Sequence, residues 1–183
     1  MGVEIDAVHY STAISACEKG QQWQLALVML AEMDADKVAK NVVAYNAAIS
    51  ACGRGQAWQM ALWLLVVMSA ATVGKDVISY NAVITACGKG EQTLLALGML
   101  AELSLASVEK NVVTYNAAVS ACERGRQWGL ASWLLSQMSV VKVTKDVITY
   151  SAAISACEKG FGSWCWPKFT RQRGDWSVRV EKP

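Results

Sequence analysis

A period of 35 residues runs through the chain without an insertion, and it constrains the fold more than any other feature of the sequence. Tyr10, Tyr45, Tyr80, Tyr115 and Tyr150 keep it, as do Cys17, Cys52, Cys87, Cys122 and Cys157, and Gly20, Gly55, Gly90, Gly125 and Gly160. In the second part of each unit Ala26, Ala61, Ala96 and Ala131 stay in step, together with Leu30, Leu65, Leu100 and Leu135. A unit this short cannot bury its own apolar face. Stacking on its neighbours does so, which makes the chain an array in which each unit touches mainly those beside it.

Within a unit the pattern is helical. Between Asn111 and Gly125, Tyr115, Val119 and Cys122 fall at i, i+4 and i+7 and give one apolar face. Asp6, Asn41, Asp76, Asn111 and Asp146 precede this stretch as N-caps, and the repeated glycine follows as a C-terminal stop. A second helix is expected from about Gln127 to Met138, with Trp128, Ala131, Leu134, Leu135 and Met138 turned inward. Two antiparallel helices per unit give an all-α fold, an α-solenoid of about nine helices. Four full units are expected at 7–41, 42–76, 77–111 and 112–146, with a half unit at 147–160. Residues 1–6 match the end of a preceding unit, so the chain reads as a window on a longer array. Residues 161–183 break the pattern with Gly162, Pro167 and Gly174 and are expected to form an irregular basic tail. Trp164, Trp166 and Trp176 in that tail leave RNA contact open as a second reading.

Charge narrows the function. Residues 1–160 hold 12 basic and 13 acidic residues, and the tail holds 5 and 2. A neutral body cannot attract nucleic acid in bulk, so any such binding needs a local stripe of cations. Five cysteines in repeat register suit buried thiols in a reducing compartment better than disulfides. His9 is the single histidine and there is no C-x-x-C, which argues against a metal site, a triad and a zinc deaminase. No phosphate loop or glycine fingerprint is present either. Catalysis, cofactors and a small-molecule substrate are therefore not expected. The apolar run from Ala57 to Val73 is marginal for spanning a membrane, and its repeat position makes it a helix buried between neighbours instead. No transit peptide is visible at the start, Met-Gly-Val-Glu-Ile-Asp.

A helical residue advances by about 100°, so the fifth, ninth and thirteenth residues of a unit lie at roughly 300°, 340° and 20° from the second. Tyrosine and cysteine lie opposite. The available face then carries Val8, Val43, Ile78, Val113 and Ile148, followed by Ser11, Asn46, Asn81, Asn116 and Ser151. Ser15, Ser50, Thr85, Ser120 and Ser155 come next, and Lys19, Arg54, Lys89, Arg124 and Lys159 close the face. One cation per unit on one side can follow a phosphate backbone whose bases point at the Ser/Asn positions. The helix dipole alone would accept a cation on any side. Glu18, Glu123 and Glu158 read as solvated positions.

The phrase NVVTYNAAVSACERG at Asn111 to Gly125, with its copies NVVAYNAAISACGRG and DVISYNAVITACGKG, resembles the pentatricopeptide repeat family in its plain 35-residue form. Tetratricopeptide and ankyrin repeats run at about 34 and 33 residues, HEAT and armadillo repeats at about 40 or more. The resemblance implies a right-handed superhelix that binds single-stranded RNA, one base per unit, in the processing, stability or translation of chloroplast or mitochondrial transcripts. It further implies that Val8, Val43, Ile78, Val113 and Ile148 stack on bases. Base edges would be read by Ser11 with Asn41, Asn46 with Asp76, Asn81 with Asn111, Asn116 with Asp146, and by Ser151. Where the family often has proline, this chain has Lys40, Lys75, Lys110 and Lys145, which predicts looser linkers. Two other readings stand beside RNA binding: a scaffold holding protein partners in the helical groove, and a truncated piece without independent function. The recurrence of the same residue types in unit after unit suits a repetitive polymer better than a peptide.

Overall fold

The computed structural model describes residues 6–161, 168–172 and 175–179, and side chains from 6 to 160. The expected end of a preceding unit at 1–5 lies outside these residues, as do Gly162, Trp164, Trp166, Pro167, Gly174 and the side chain of Trp176. Nine helices form among the described residues: α1 (Ala7–Lys19), α2 (Trp23–Ala35), α3 (Val42–Arg54), α4 (Trp58–Ala70), α5 (Val77–Lys89), α6 (Thr93–Leu105), α7 (Val112–Arg124), α8 (Trp128–Val140) and α9 (Val147–Phe161). The odd-numbered helices are the first helices of their units and the even-numbered ones the second.

Each first helix starts at a side-chain cap. Asp6 accepts from the Val8 and His9 amides, and Asn41, Asp76 and Asn111 accept from Ala44, Ser79 and Thr114. Asp146 accepts from the Thr149 amide at 2.8 Å. The second helices begin without a side-chain cap. Their place is set by packing: Ala26, Ala61, Ala96 and Ala131 are fully buried, so each second helix lies close to the first helices beside it.

Successive first helices pack directly on one another, and each second helix packs on its own first helix and on the next. The second helices stay farther apart, with no Cα atoms of two of them within 8 Å among the described residues. The row in mutual contact must lie on the inside of the curve, so the first helices line the concave side of an α-solenoid. The core runs along the seam between the rows, with Tyr45, Tyr80, Ile49, Ile84, Leu64, Met68, Leu103 and Met138 fully buried.

The glycine expected to stop each first helix does something different. Gly20, Gly55, Gly90 and Gly125 sit at φ −81, −82, −84 and −78, which any residue adopts. The left-handed turn falls on the next residue, Gln21, Gln56, Glu91 and Arg126, at φ 56, 60, 58 and 55. Amide bonds from Gln22 to Cys17 O and from Gln21 to Glu18 O close the turn, as in a Schellman motif. What requires glycine is the preceding unit. A Cβ built on Gly55 would lie 2.1 Å from Trp23 Cδ1, on Gly90 2.2 Å from Trp58 Cδ1, and on Gly125 2.0 Å from Thr93 Oγ1. The first residue of each second helix is seated on the next unit's glycine. Because the left-handed residues are not glycine, Glu91→Gly is expected to raise unfolding free energy by about 0.5–1 kcal/mol. Urea unfolding followed by circular dichroism checks this, and an unchanged midpoint would mean the turn holds no strain.

Several expectations need correction. Tyr150 and Cys157 are exposed, because no following second helix packs over α9 among the described residues, whereas the other four repeat cysteines are buried and unpaired. Burial raises the thiols of Cys52, Cys87 and Cys122 to about 11. Trp128 is exposed and Leu135 half-buried, since only one stripe of the second helix meets the first-helix row. The same geometry leaves Trp63 and Val66 of α4 facing outward, so α4 is buried on one side and not two. No described helix is long and apolar enough to cross a membrane. Three of the four linker lysines have partners: Lys40 pairs with Asp34 at 2.5 Å, Lys75 with Glu102 at 3.2 Å, and Lys145 Nζ reaches Ser139 Oγ at 2.5 Å. The tail is not wholly irregular. Lys168–Gln172 and Asp175–Arg179 pair as an antiparallel hairpin, favoured by Phe169, Thr170, Trp176 and Val178.

Candidate nucleic-acid interface

The second residue of every first helix stands exposed: Val8 68%, Val43 55%, Ile78 58%, Val113 56% and Ile148 60%. Five aliphatic side chains in register, each open to water although a core lies one turn away, form a ladder of apolar steps along the concave row. The fifth residues are recessed behind them. Ser11 and Asn46 are buried and Asn81 and Asn116 half-buried, because the junction between successive first helices closes over them, while Ser151 on α9 is exposed. The face read from the sequence is thus a stepped floor, with aliphatic residues on the ridges and amides in the recesses.

Two of the expected reading pairs are joined by direct bonds. Asn46 Nδ2 donates to Asp76 Oδ1 at 3.1 Å, and Asn116 Nδ2 donates to Asp146 Oδ1 and Oδ2 at 3.1 and 3.0 Å. A third residue completes each cluster. Ser79 Oγ lies 2.6 Å from Asn46 Oδ1 and 2.9 Å from Asp76 Oδ1, and Thr149 Oγ1 lies 2.5 Å from Asn116 Oδ1 and 2.7 Å from Asp146 Oδ1. The sequence reading missed Ser79 and Thr149. A hydroxyl three residues after each cap was their signal, since it can return a bond to the cap backbone.

The other pairs are looser. Ser11 donates to Ala7 O at 2.7 Å, and Asn41 is occupied with the Ala44 amide. Asn111 accepts from the Thr114 amide and lies 3.0 Å from Thr114 Oγ1, and Asn81 Oδ1 is buried with no partner among the described residues. Ser151 donates to Ile148 O at 3.0 Å, away from any reading partner.

The caps carry charge. Burial pushes the Asp76 carboxyl up, but bonds from the Ser79 amide and hydroxyl and from Asn46 outweigh it and hold the group below the usual carboxylate range. The Thr149 amide and hydroxyl do the same for Asp146, with Asn116 assisting. Both are ionised at neutral pH and can only accept hydrogen bonds.

Lys19, Arg54, Arg124 and Lys159 are exposed and Lys89 half-buried at the C-terminal end of the same face. Burial, then the nearby Arg54 and Arg124, lower the Lys89 ammonium, so three of these cations share one field. Glu18 and Glu123 are not the solvated positions expected: Glu18 holds Arg54 at 3.1 Å and Glu123 holds Lys159 at 2.8 Å. Between the third and fifth units an open cavity of about 380 Å³ gathers every class of residue at once. Its lining includes the aliphatic Val113 and Ile148, the polar pair Asn116 and Asp146, and the cations Lys89 and Arg124. No cluster of three or more His, Cys, Asp or Glu able to hold a metal occurs among the described residues.

Comparison with known proteins follows the same lines. Residues 1–55 and 98–159 match the family model for the pentatricopeptide repeat domain, and residues 43–71 and 78–106 match that for the PPR repeat. No curated protein matches the chain. Among solved structures it is similar to the pentatricopeptide repeat protein PPR10 in complex with an 18-nt psaJ RNA element, with a TM-score of 0.78 and 24% identity over 87% of this chain. It spans 23% of the length of that protein's chain. It is also similar to the PPR domain of Arabidopsis thaliana protein-only RNase P 1 in complex with tRNA, with a TM-score of 0.69 and 12% identity over 85% of both chains. At these identities the likeness is one of fold. The phase-locked repeat, the solenoid and family models that together cover most of the chain lead to one conclusion: this chain belongs to the pentatricopeptide repeat family.

Proposed function

We propose that the concave face binds single-stranded RNA, one base per unit, and that the chain serves as an adaptor in the processing, stability or translation of a chloroplast or mitochondrial transcript. The observation that carries the reading is the cavity whose lining brings together Val113, Ile148, Asn116, Asp146, Lys89 and Arg124. A base held there is covered on both faces by aliphatic side chains, its edge meets an amide and a carboxylate, and its phosphate meets a cation. Membership of the family and its members solved with RNA support the partner. The organellar setting rests on the family alone, and a fluorescent fusion of the full-length protein tests it.

Edge chemistry sharpens the proposal. An ionised Asp76 or Asp146 accepts only, and uracil and guanine present a ring N–H at that edge where adenine and cytosine present a bare nitrogen. The family's pairing rules, as the resemblance implies them, give uracil for Asn with Asp, so the second and fourth units take uracil; an amide that fills more space than serine suits the smaller ring. Asn41 and Asn111 can donate to a bare nitrogen. By the same implied rules Ser11 with Asn41 gives adenine at the first unit, and Asn81 with Asn111 a pyrimidine at the third. With units parallel to the RNA the site reads 5′-A-U-(C or U)-U-3′.

An anisotropy titration of short RNAs at several salt concentrations is the test. Replacing Lys89 and Arg124 with Ala is expected to weaken binding to all sequences alike and to flatten the log affinity against log salt slope by about 0.7 per lost phosphate contact. Affinity unmoved by either the substitutions or the salt returns the groove to the protein-scaffold reading.

A further inference from the structure

The cation stripe is not uniform, and the difference follows one position of the repeat. From the second unit on, the residue 36 before each first-helix cation, on the preceding first helix, is Glu18 for Arg54, Gly53 for Lys89, Gly88 for Arg124 and Glu123 for Lys159. Where that residue is glutamate the cation is held: Arg54 Nε lies 3.1 Å from Glu18 Oε1 and Lys159 Nζ 2.8 Å from Glu123 Oε1. Both carboxylates are mostly covered, 24% and 23% exposed, while their partners are half exposed. Where it is glycine there is no carboxylate to reach. The next first helix is close at both positions, since a Cβ on Gly53 would stand 3.2 Å from Ala86 Cβ and one on Gly88 2.9 Å from Ala121 Cβ. Neither Lys89 nor Arg124 has an ion pair among the described residues.

We propose that Glu18 and Glu123 are latches that occupy Arg54 and Lys159, leaving the adjacent Lys89 and Arg124 as the phosphate-binding centre of the concave face. The inference rests on the RNA reading above and goes beyond it by ranking the cations and assigning a role to the two glutamates. Magnitude decides how the latch works. A pair this exposed is worth at most about 1 kcal/mol, so the glutamate competes with a phosphate and does not exclude it. RNA therefore engages first at the third and fourth units. It takes up Arg54 and Lys159 only where the strand's phosphates outcompete the carboxylates. Burial first, then the nearby Arg54 and Arg124, lowers the Lys89 ammonium, with Glu18 opposing them; the two neighbouring arginines make a crowded positive field, the condition that attracts an anion.

The test uses the whole chain and two probes, a single-stranded RNA and an inorganic polyphosphate of similar length. Glu18→Gln and Glu123→Gln are expected to tighten RNA binding by about threefold each and to steepen the salt slope by about 0.7 for each freed cation. Gly53→Glu places a carboxylate opposite Lys89 and is expected to weaken binding by about threefold, while Gly53→Ala, which adds the same Cβ without charge, binds as wild type. Arg54→Ala and Lys159→Ala should cost less than Lys89→Ala and Arg124→Ala. If both glutamine variants bind RNA as wild type does, or the four cations prove equal, the latches are overturned while RNA binding stands. If RNA fails to bind but polyphosphate reproduces the ranking, the RNA reading falls and the phosphate centre stands. Binding of neither probe overturns both.

Discussion

Gly90→Ala is expected to lower the unfolding free energy by about 1–3 kcal/mol, a large loss for one methyl group. The added Cβ would lie 2.2 Å from Trp58 Cδ1 and 2.8 Å from Cγ, so the indole must leave its seat to make room. Gly20→Ala is the internal control. Its backbone angles match those of Gly90, but no unit precedes it among the described residues, and the nearest atom to its Cβ is the Ala16 carbonyl oxygen at 3.5 Å. There the substitution should be neutral or stabilise by about 0.5 kcal/mol through the unfolded chain. If the two variants shift the urea midpoint equally, the glycines act through backbone freedom and the seat is irrelevant. Trp58→Ala in the Gly90→Ala background separates the terms further. Removing the ring relieves the clash, so the double variant should lose less than the sum of the singles.

That pair of glycines also marks what could be read from the sequence. Period, caps and the sided distribution of residues were legible because each is a local or strictly periodic property: Asp76 caps α5 within three residues, and Val113 lies on the face its angle dictates. Contacts between units were not read. The seat of Trp58 on Gly90 spans two units, and from the sequence alone Gly90 looks like an ordinary helix stop. The Glu18 and Arg54 pair lies one period plus one residue apart, so an inspection of each unit alone shows a solvated acid and an available base. Ser79 was passed over because its hydroxyl serves the cap and the preceding Asn46 together. The exposed Tyr150 and Cys157 follow the same logic, since position in a repeat predicts burial only where the next helix is packed in place.

Asn46→Ser is expected to convert the base preference of the second unit from uracil to guanine and to leave the other three positions as they were. Asn46 is almost fully covered, bonded through Nδ2 to Asp76 and through Oδ1 to Ser79. Serine removes the amide and vacates its volume, while Asp76 keeps its bonds to the Ser79 amide and hydroxyl. The carboxylate stays ionised and still requires a base with a ring N–H, which guanine supplies, and the vacated volume admits its second ring. Discrimination at one edge should change by about 1–3 kcal/mol, by analogy with base-edge contacts elsewhere. Loss of the Asn46 bonds costs the fold about 1 kcal/mol, spread over a junction that Tyr45, Ala48 and Cys52 still close. A selection from randomised RNA with the wild-type and variant chains reads the result position by position. A changed second position beside three unchanged ones supports one base per unit with Asn46 and Asp76 as its readers. If the preference broadens at all four positions, Asn46 acts only through packing. An unchanged second position means that the edge is read elsewhere even where RNA binding survives.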